Sequence, residues 1–133
     1  MARYIGHTDY SHNTPLRTGV LLVNLGTPAE PSAKALRPYL RQFLGDPRVI
    51  EWPAWLWKPI LNGIILNVRP QKSAKLYASI WTEQGSPLLV YSQRITEQMR
   101  TALQTEWGDA IIVELAMRYG QPSIQKALET MRQ

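Results

Sequence analysis

The stretch Gly19-Val-Leu-Leu-Val-Asn-Leu-Gly-Thr-Pro28 decides how the rest of the chain is read. Val20 to Leu25 is apolar except for Asn24, and the run stops at Gly26-Thr27-Pro28. Such a run reads as a strand buried on both faces, followed by a tight turn. In open α/β sheets the ligand lies just beyond the carboxyl ends of the strands. Asn24, Leu25, Gly26 and Thr27 therefore mark the place where a bound molecule is expected. A lone Gly-Thr-Pro lacks the glycine spacing of a phosphate loop, which makes a nucleotide the weaker candidate.

The 133 residues supply one domain at most, and an apolar share of 44% argues against wholesale disorder. Residues 1–17 form a polar tail without the apolar segment of a signal peptide, and residues 18–133 form the domain. His7 and His12 lie in that tail and are expected to be unstructured rather than ligands. The absence of cysteine removes disulfides and thiolate metal sites and fits a reducing cytosol. A net charge of +5 suggests an acidic partner: nucleic acid, an anionic membrane surface or a small anion. Basic residues such as Lys34, Arg37, Arg41, Arg48, Lys58 and Arg69 are spread singly, whereas nucleic-acid surfaces cluster them, so nucleic acid is not expected. A merely solvated basic surface fits the same composition.

Beyond the first strand, a helix is expected to open at Pro38 and run through Tyr39-Leu-Arg-Gln-Phe-Leu44. Leu36, Tyr39, Leu40, Phe43 and Leu44 give it one apolar face. Gly45 ends it, and Asp46-Pro47 turns the chain. The segment from Glu51 to Val68 carries Trp52, Trp55 and Trp57 and is apolar nearly all round. Pro59, Lys58, Asn62 and Gly63 interrupt it, and a spanning helix needs about 20 apolar residues. It is either a core element or an exposed lip that touches lipid or an apolar ligand. A further helix is expected from Arg69-Pro70, with Ser73, Tyr77 and Ile80 on one face and Trp81 beside it. Thr82 to Pro87 reads as a loop. The next helix carries Leu88, Tyr91, Ile95, Met99, Ala102 and Leu103 along one side and is closed by Gly108. Ile111 to Met117 reads as a second strand. A last helix follows, with Ile124, Ala127, Leu128 and Met131 as its buried face.

Strand, helices, strand, helix, with no hairpin signal, means parallel strands joined by right-handed crossovers: an α/β fold. Two strands cannot cover that many amphipathic helices, so the chain reads as incomplete.

These residues resemble the ferrochelatase family, which inserts ferrous iron into a porphyrin to make haem. The resemblance runs from about Thr18 to Gln133. It rests on GVLLVNLGTP, on YLRQFLGDPRVIE, on the spacing from Arg69-Pro70 to KLYASIW to GSPLL, and on MRYGQPSI. The wording is closest to the proteobacterial branch, and only the N-terminal part of the family is covered. The resemblance implies a Rossmann-like, flavodoxin-like domain and a porphyrin cleft between two such halves. It implies protoporphyrin IX and Fe²⁺ as substrates, no cofactor, and a cytoplasmic enzyme, with peripheral membrane contact through Trp52, Trp55 and Trp57 as a further option. Leu25 matches a position where other members carry Met or Tyr against the metal centre; leucine cannot ligate a metal, so packing against the ring is implied. Arg69, Tyr77 and Ser86 match residues that bind the porphyrin carboxylates, although the loop before Ser86 is longer than in some members. Arg118 and Tyr119 match an Arg-Tyr pair beside the metal path.

The residue types suit the chemistry on their own account. A porphyrin is a flat apolar disc with carboxylates on one edge, and Arg presents a planar fork that matches a carboxylate. Each candidate also has a plain structural reading: Leu25 as the end of a strand, Arg69 as a solvated helix flank, Tyr77 as core, Ser86 as a turn residue. Metal insertion further needs a base for two pyrrole protons, and a neutral His suits it. The only histidines are His7 and His12, ahead of the fold. The resemblance places the catalytic His and its partner Glu in the C-terminal half, beyond Gln133, so no catalytic or metal-ligating residue is assigned to this chain. Two other function classes fit the sequence: a module that holds porphyrin or haem without turning it over, and a basic interaction protein for nucleic acid or anionic lipid.

Overall fold

The structure, a computed structural model, describes residues 15–132. His7, His12 and most of the polar tail lie outside the described residues. Strands β1 (Thr18–Thr27) and β2 (Ile111–Gly120) form a parallel sheet in which Val20 pairs with Val113 and Gly26 with Tyr119. Between them run α1 (Ala33–Leu44), α2 (Ala54–Ile60), α3 (Leu66–Ile80) and α4 (Pro87–Trp107); α5 (Ile124–Met131) follows β2. The α/β class and the parallel pairing stand as expected. Two-sided burial of β1 does not: Val23 and Leu25 are 52% and 50% exposed. β2 is the only strand beside β1 among the described residues. β2, with α4 and α5 packed on it, buries Val113, Leu115, Ala116 and Met117.

α1 starts ahead of Pro38, not at it. The Ser32 hydroxyl accepts the Ala35 N–H at 3.2 Å, and this cap opens the helix at Ala33. The face reads as expected: Leu36, Tyr39, Leu40 and Leu44 are buried, and they join Leu61, Leu66 and Tyr119 in one core. No new helix opens at Arg69-Pro70 either. α2 passes through a π-helical turn, Leu61–Ile65, directly into α3, and Pro70 lies buried inside it. Asn62 Nδ2 donates to the Lys58 carbonyl and Asn67 Nδ2 to the Gly63 carbonyl, each at 2.8 Å, so side-chain amides serve carbonyls around the irregular turn. The tryptophan-rich segment is core on one side and lip on the other. Leu61 and Leu66 are buried, whereas Trp52, Trp55, Ile64 and Val68 face out.

α4 departs furthest from its pattern. Its apolar stripe Leu88, Tyr91, Ile95 and Met99 is exposed, and Ser92 and Thr96 face the sheet. Small hydroxyls can do this because each is satisfied locally: Ser92 donates to the Leu88 carbonyl at 2.7 Å and Thr96 to the Ser92 carbonyl at 2.8 Å. Two polar ties then set the helix rotation. Asn24 Nδ2 donates to Ser92 Oγ at 3.0 Å, and the Arg100 guanidinium donates to the Val113 carbonyl at 2.7 and 3.1 Å. α5 is capped by Ser123 and buries Ala127, with Ile124 and Met131 partly buried, but Leu128 points outward. No helix among the described residues is long and apolar enough to cross a membrane.

Candidate functional site

Leu25, Arg118 and Tyr119 lie at the carboxyl ends of β1 and β2, and Ser86 and Tyr77 are tied to them through Thr27 and Tyr39. At Gly26 the backbone turns with φ of +114°, a conformation that strains any residue with a Cβ, and it lies against the Tyr119 carbonyl. Tyr39 of α1 donates its phenolic hydrogen to the Gly26 carbonyl at 3.2 Å. Burial, with Tyr77 and Tyr119 adding to it, pushes the Tyr39 phenol well above its ordinary value, so it stays a neutral donor. One residue on, Thr27 Oγ1 donates to Ser86 Oγ at 2.8 Å, both side chains buried. β1 is thus tied to α1 and to the start of α4 just where it ends.

On β2 a second cluster forms around a residue that sequence reasoning treated only as a turn. Asp46, between α1 and α2, accepts Arg118 Nη2 at 2.8 Å and the Tyr119 hydroxyl at 3.0 Å on one oxygen, and the Arg48 backbone N–H at 2.8 Å on the other. Arg118 Nε also donates to the Tyr119 oxygen at 3.2 Å. Phe43 supports the Tyr119 ring edge-on, with centroids 5.1 Å apart. The Arg48 N–H first, then the Tyr119 hydroxyl and Arg118, outweigh burial and hold the Asp46 carboxyl below the usual carboxylate range. The cluster borders a groove of about 480 Å³ that Arg41, Arg48 and Arg118 line with only Asp46 as counter-charge. It suits an anion. The signal available in the sequence was Asp46 itself: an Asp before Pro47 caps its own turn and leaves one carboxylate oxygen free for distant donors.

The candidates divide accordingly. Leu25 is half exposed at the end of β1, on the strand that pairs with the one bearing Arg118 and Tyr119. Arg118 is 38% exposed and Tyr119 is buried. Tyr77 is half-buried, edge-on to Tyr39 at 6.4 Å, which joins it to the Gly26 tie. Ser86 is buried beneath Thr27. Arg69 is exposed on α3 and has no polar partner among the described residues. No group of three or more His, Cys, Asp or Glu that could hold a metal occurs among the described residues.

A folded carboxyl below its unfolded value stabilises the protein at pH above that unfolded value, and the contribution is lost as pH falls through the folded value. The Asp46→Asn protein is therefore expected to be less stable than the parent at neutral pH. The gap should close below about pH 4, where the unfolded carboxyl titrates. Thermal midpoints of both proteins between pH 7 and 3 check this; a gap that does not depend on pH contradicts it.

Comparison with known proteins bears on what this arrangement is for. The ferrochelatase family model matches residues 17–133. The chain belongs to the ferrochelatase family. It is 56% identical to the ferrochelatase of Thioalkalivibrio sulfidiphilus over 98% of this chain and 36% of that protein. It is 53% identical to the ferrochelatase of Aromatoleum aromaticum over 99% of this chain and 36% of that protein. The figure for the ferrochelatase of Teredinibacter turnerae is 54%, over 92% of this chain and 34% of that protein. The chain thus spans about a third of the length of the curated ferrochelatases it matches. No solved structure matches it at a significant level.

Proposed function

We propose that the full-length protein inserts ferrous iron into protoporphyrin IX, completing haem synthesis, and that this chain supplies one wall of the porphyrin site. The observation that carries the reading is the cationic groove built by Arg118, Tyr119 and Asp46 at the carboxyl end of β2, together with a half-exposed Leu25 at the end of the paired strand β1. In this reading Leu25 packs on the macrocycle and Arg118 offers its guanidinium edge to a carboxylate, aimed by Asp46. Tyr77, Arg69 and Ser86 belong to the carboxylate side. Ser86 oxygen already accepts from Thr27, so its hydroxyl hydrogen is the group it has left to give. Tyr119, held by Phe43 and Asp46, fixes the floor under Arg118.

The two pyrrole protons need a base that residues 15–132 do not offer as an imidazole. Proton removal is accordingly assigned to parts of the protein outside this chain, and residues 1–133 alone are expected to bind porphyrin edges without metallating them. The metal is substrate here, not a resident cofactor. We place the protein in the cytoplasm. The option of peripheral membrane contact rests on Trp52 and Trp55, 56% and 77% exposed, and not on Trp57, whose indole turns inward to the Leu44 carbonyl at 2.7 Å.

The carboxylate part of the reading is tested by titrating the full-length protein with protoporphyrin IX and with its dimethyl ester. Losing one or two charge-assisted hydrogen bonds should weaken the ester about tenfold to a hundredfold. Equal affinity for acid and ester would remove the guanidinium groove from the site.

A further inference from the structure

A second cavity adjoins the turn that carries Asp46 and shares Gly45 and Pro47 with the first. It encloses about 460 Å³, within the range of small-molecule pockets, and is more apolar than the Arg118 groove. Ile50, Trp52, Trp57 and Leu61 form its walls, and Arg41 and Lys58 stand at its rim. Trp52 and Trp57 meet edge to face, with centroids 6.0 Å apart and planes at 71°, so the wall presents both a ring face and a ring edge. The only polar atom of Trp57 is spent on the Leu44 carbonyl, which leaves the rest of that indole as plain aromatic surface. Leu61 is buried at the base, and Trp57 is held between the core and the cavity.

The rim is charged and unpaired. Arg41 sits in the last turn of α1, where the helix dipole favours a cation, and Lys58 lies on α2 ahead of the π-helical turn. Neither side chain has a hydrogen-bond or ion-pair partner among the described residues. Two free cations beside a paired-indole wall are complementary to a ligand with an aromatic body and one anionic group. The aromatic body is favoured over an aliphatic chain because edge-to-face packing rewards a second ring system.

We propose that this cavity is a binding site for an aromatic carboxylate or sulfonate, separate from the crevice at the strand ends, with Arg41 and Lys58 holding the anionic group and Trp52 and Trp57 the rings. The site shares Arg41 and the turn residues Gly45 and Pro47 with the groove, whereas Trp52, Trp57 and Lys58 belong to this cavity and not to the groove.

The test uses the full-length protein and two dyes of nearly the same shape, 8-anilinonaphthalene-1-sulfonate and the uncharged N-phenyl-1-naphthylamine, each followed by its fluorescence on binding. The Arg41→Gln/Lys58→Gln double variant should weaken the sulfonate about tenfold or more and leave the uncharged dye within about twofold. Trp52→Ala should weaken both dyes. All three replaced side chains are exposed, so circular dichroism should match the parent, and Arg41→Lys, which keeps the charge, should keep the sulfonate bound. Saturating deuteroporphyrin should not displace the sulfonate. The proposal is overturned if the double variant binds the sulfonate as the parent does, if Trp52→Ala changes neither dye, or if the porphyrin displaces the sulfonate.

Discussion

Replacing Gly26 by Ala is expected to destabilise the protein by about 3–5 kcal/mol, a loss on the order of 10 °C in thermal midpoint. Two effects add. The backbone at Gly26 has φ of +114°, which an L side chain rarely adopts. The new Cβ would also fall inside the contact radius of the Tyr119 carbonyl oxygen, 2.8 Å from its carbon, and both belong to rigid backbone in the paired strands. No side chain can give way there; the strands must part. Parting them moves Tyr119 and Arg118 away from Leu25, so porphyrin affinity should fall along with stability. Gly63→Ala is the matched control. Nothing lies within 4 Å of a Cβ at Gly63, its φ is not positive, and it sits in a helical turn, so stability should hold or rise slightly. Thermal melts of the two variants settle the matter. A Gly26→Ala protein as stable as the parent would show that the strand ends are not held as described.

The second large effect concerns Arg118. In the full-length protein Arg118→Leu keeps much of the bulk and removes the charge and every donor. Loss of a charge-assisted hydrogen bond to a substrate carboxylate corresponds to roughly a tenfold to hundredfold fall in kcat/KM. The accompanying loss of stability should be small, because the Arg118–Asp46 pair is partly exposed and water screens such pairs. The two quantities separate the roles. If Arg118 only braces Asp46, the melting temperature falls and activity per folded molecule does not. If it meets the substrate, activity falls at nearly constant stability, and Arg118→Lys restores only part of it, since an ammonium lacks the planar fork.

Much of this fold was legible before any coordinates. The apolar run ending at Gly26-Thr27-Pro28 and the run from Ile111 marked two strands, because each is short, apolar and bounded by turn residues, and the helices between them with no hairpin signal made the pair parallel. The Leu36–Leu44 periodicity gave the buried face of α1 because that face alone is apolar. α4 was misread for a related reason. Its strongest apolar stripe runs through Leu88, Tyr91, Ile95 and Met99, and periodicity reports a stripe without saying what lies opposite it. The rotation is decided by single polar pairs, Asn24 with Ser92 and Arg100 with the Val113 carbonyl, which join residues far apart in sequence. The helix starts differ from the proline positions because Ser32 caps α1 ahead of Pro38 and α3 runs through a buried Pro70.

The site was legible in part. Arg118 and Tyr119 could be nominated from their place at the end of a strand. Asp46 offers only the turn signal of an Asp before a proline; its importance lies in what converges on its second oxygen from β2. Tyr39, read as a core position, also turned out to hold the Gly26 carbonyl. Such roles depend on contacts between distant segments, and a pattern within one segment cannot carry them.

The central claim is that the protein bearing this chain metallates a porphyrin through a crevice at the ends of β1 and β2. Its most direct test is anaerobic incubation of the full-length protein with protoporphyrin IX and ferrous iron, with the loss of free-base porphyrin fluorescence followed in time. The account predicts catalytic conversion to haem by the parent, slowed in Arg118→Leu, and no conversion by residues 1–133 alone. Free-base fluorescence that persists with the folded full-length protein, or haem formation by residues 1–133 on their own, would contradict it.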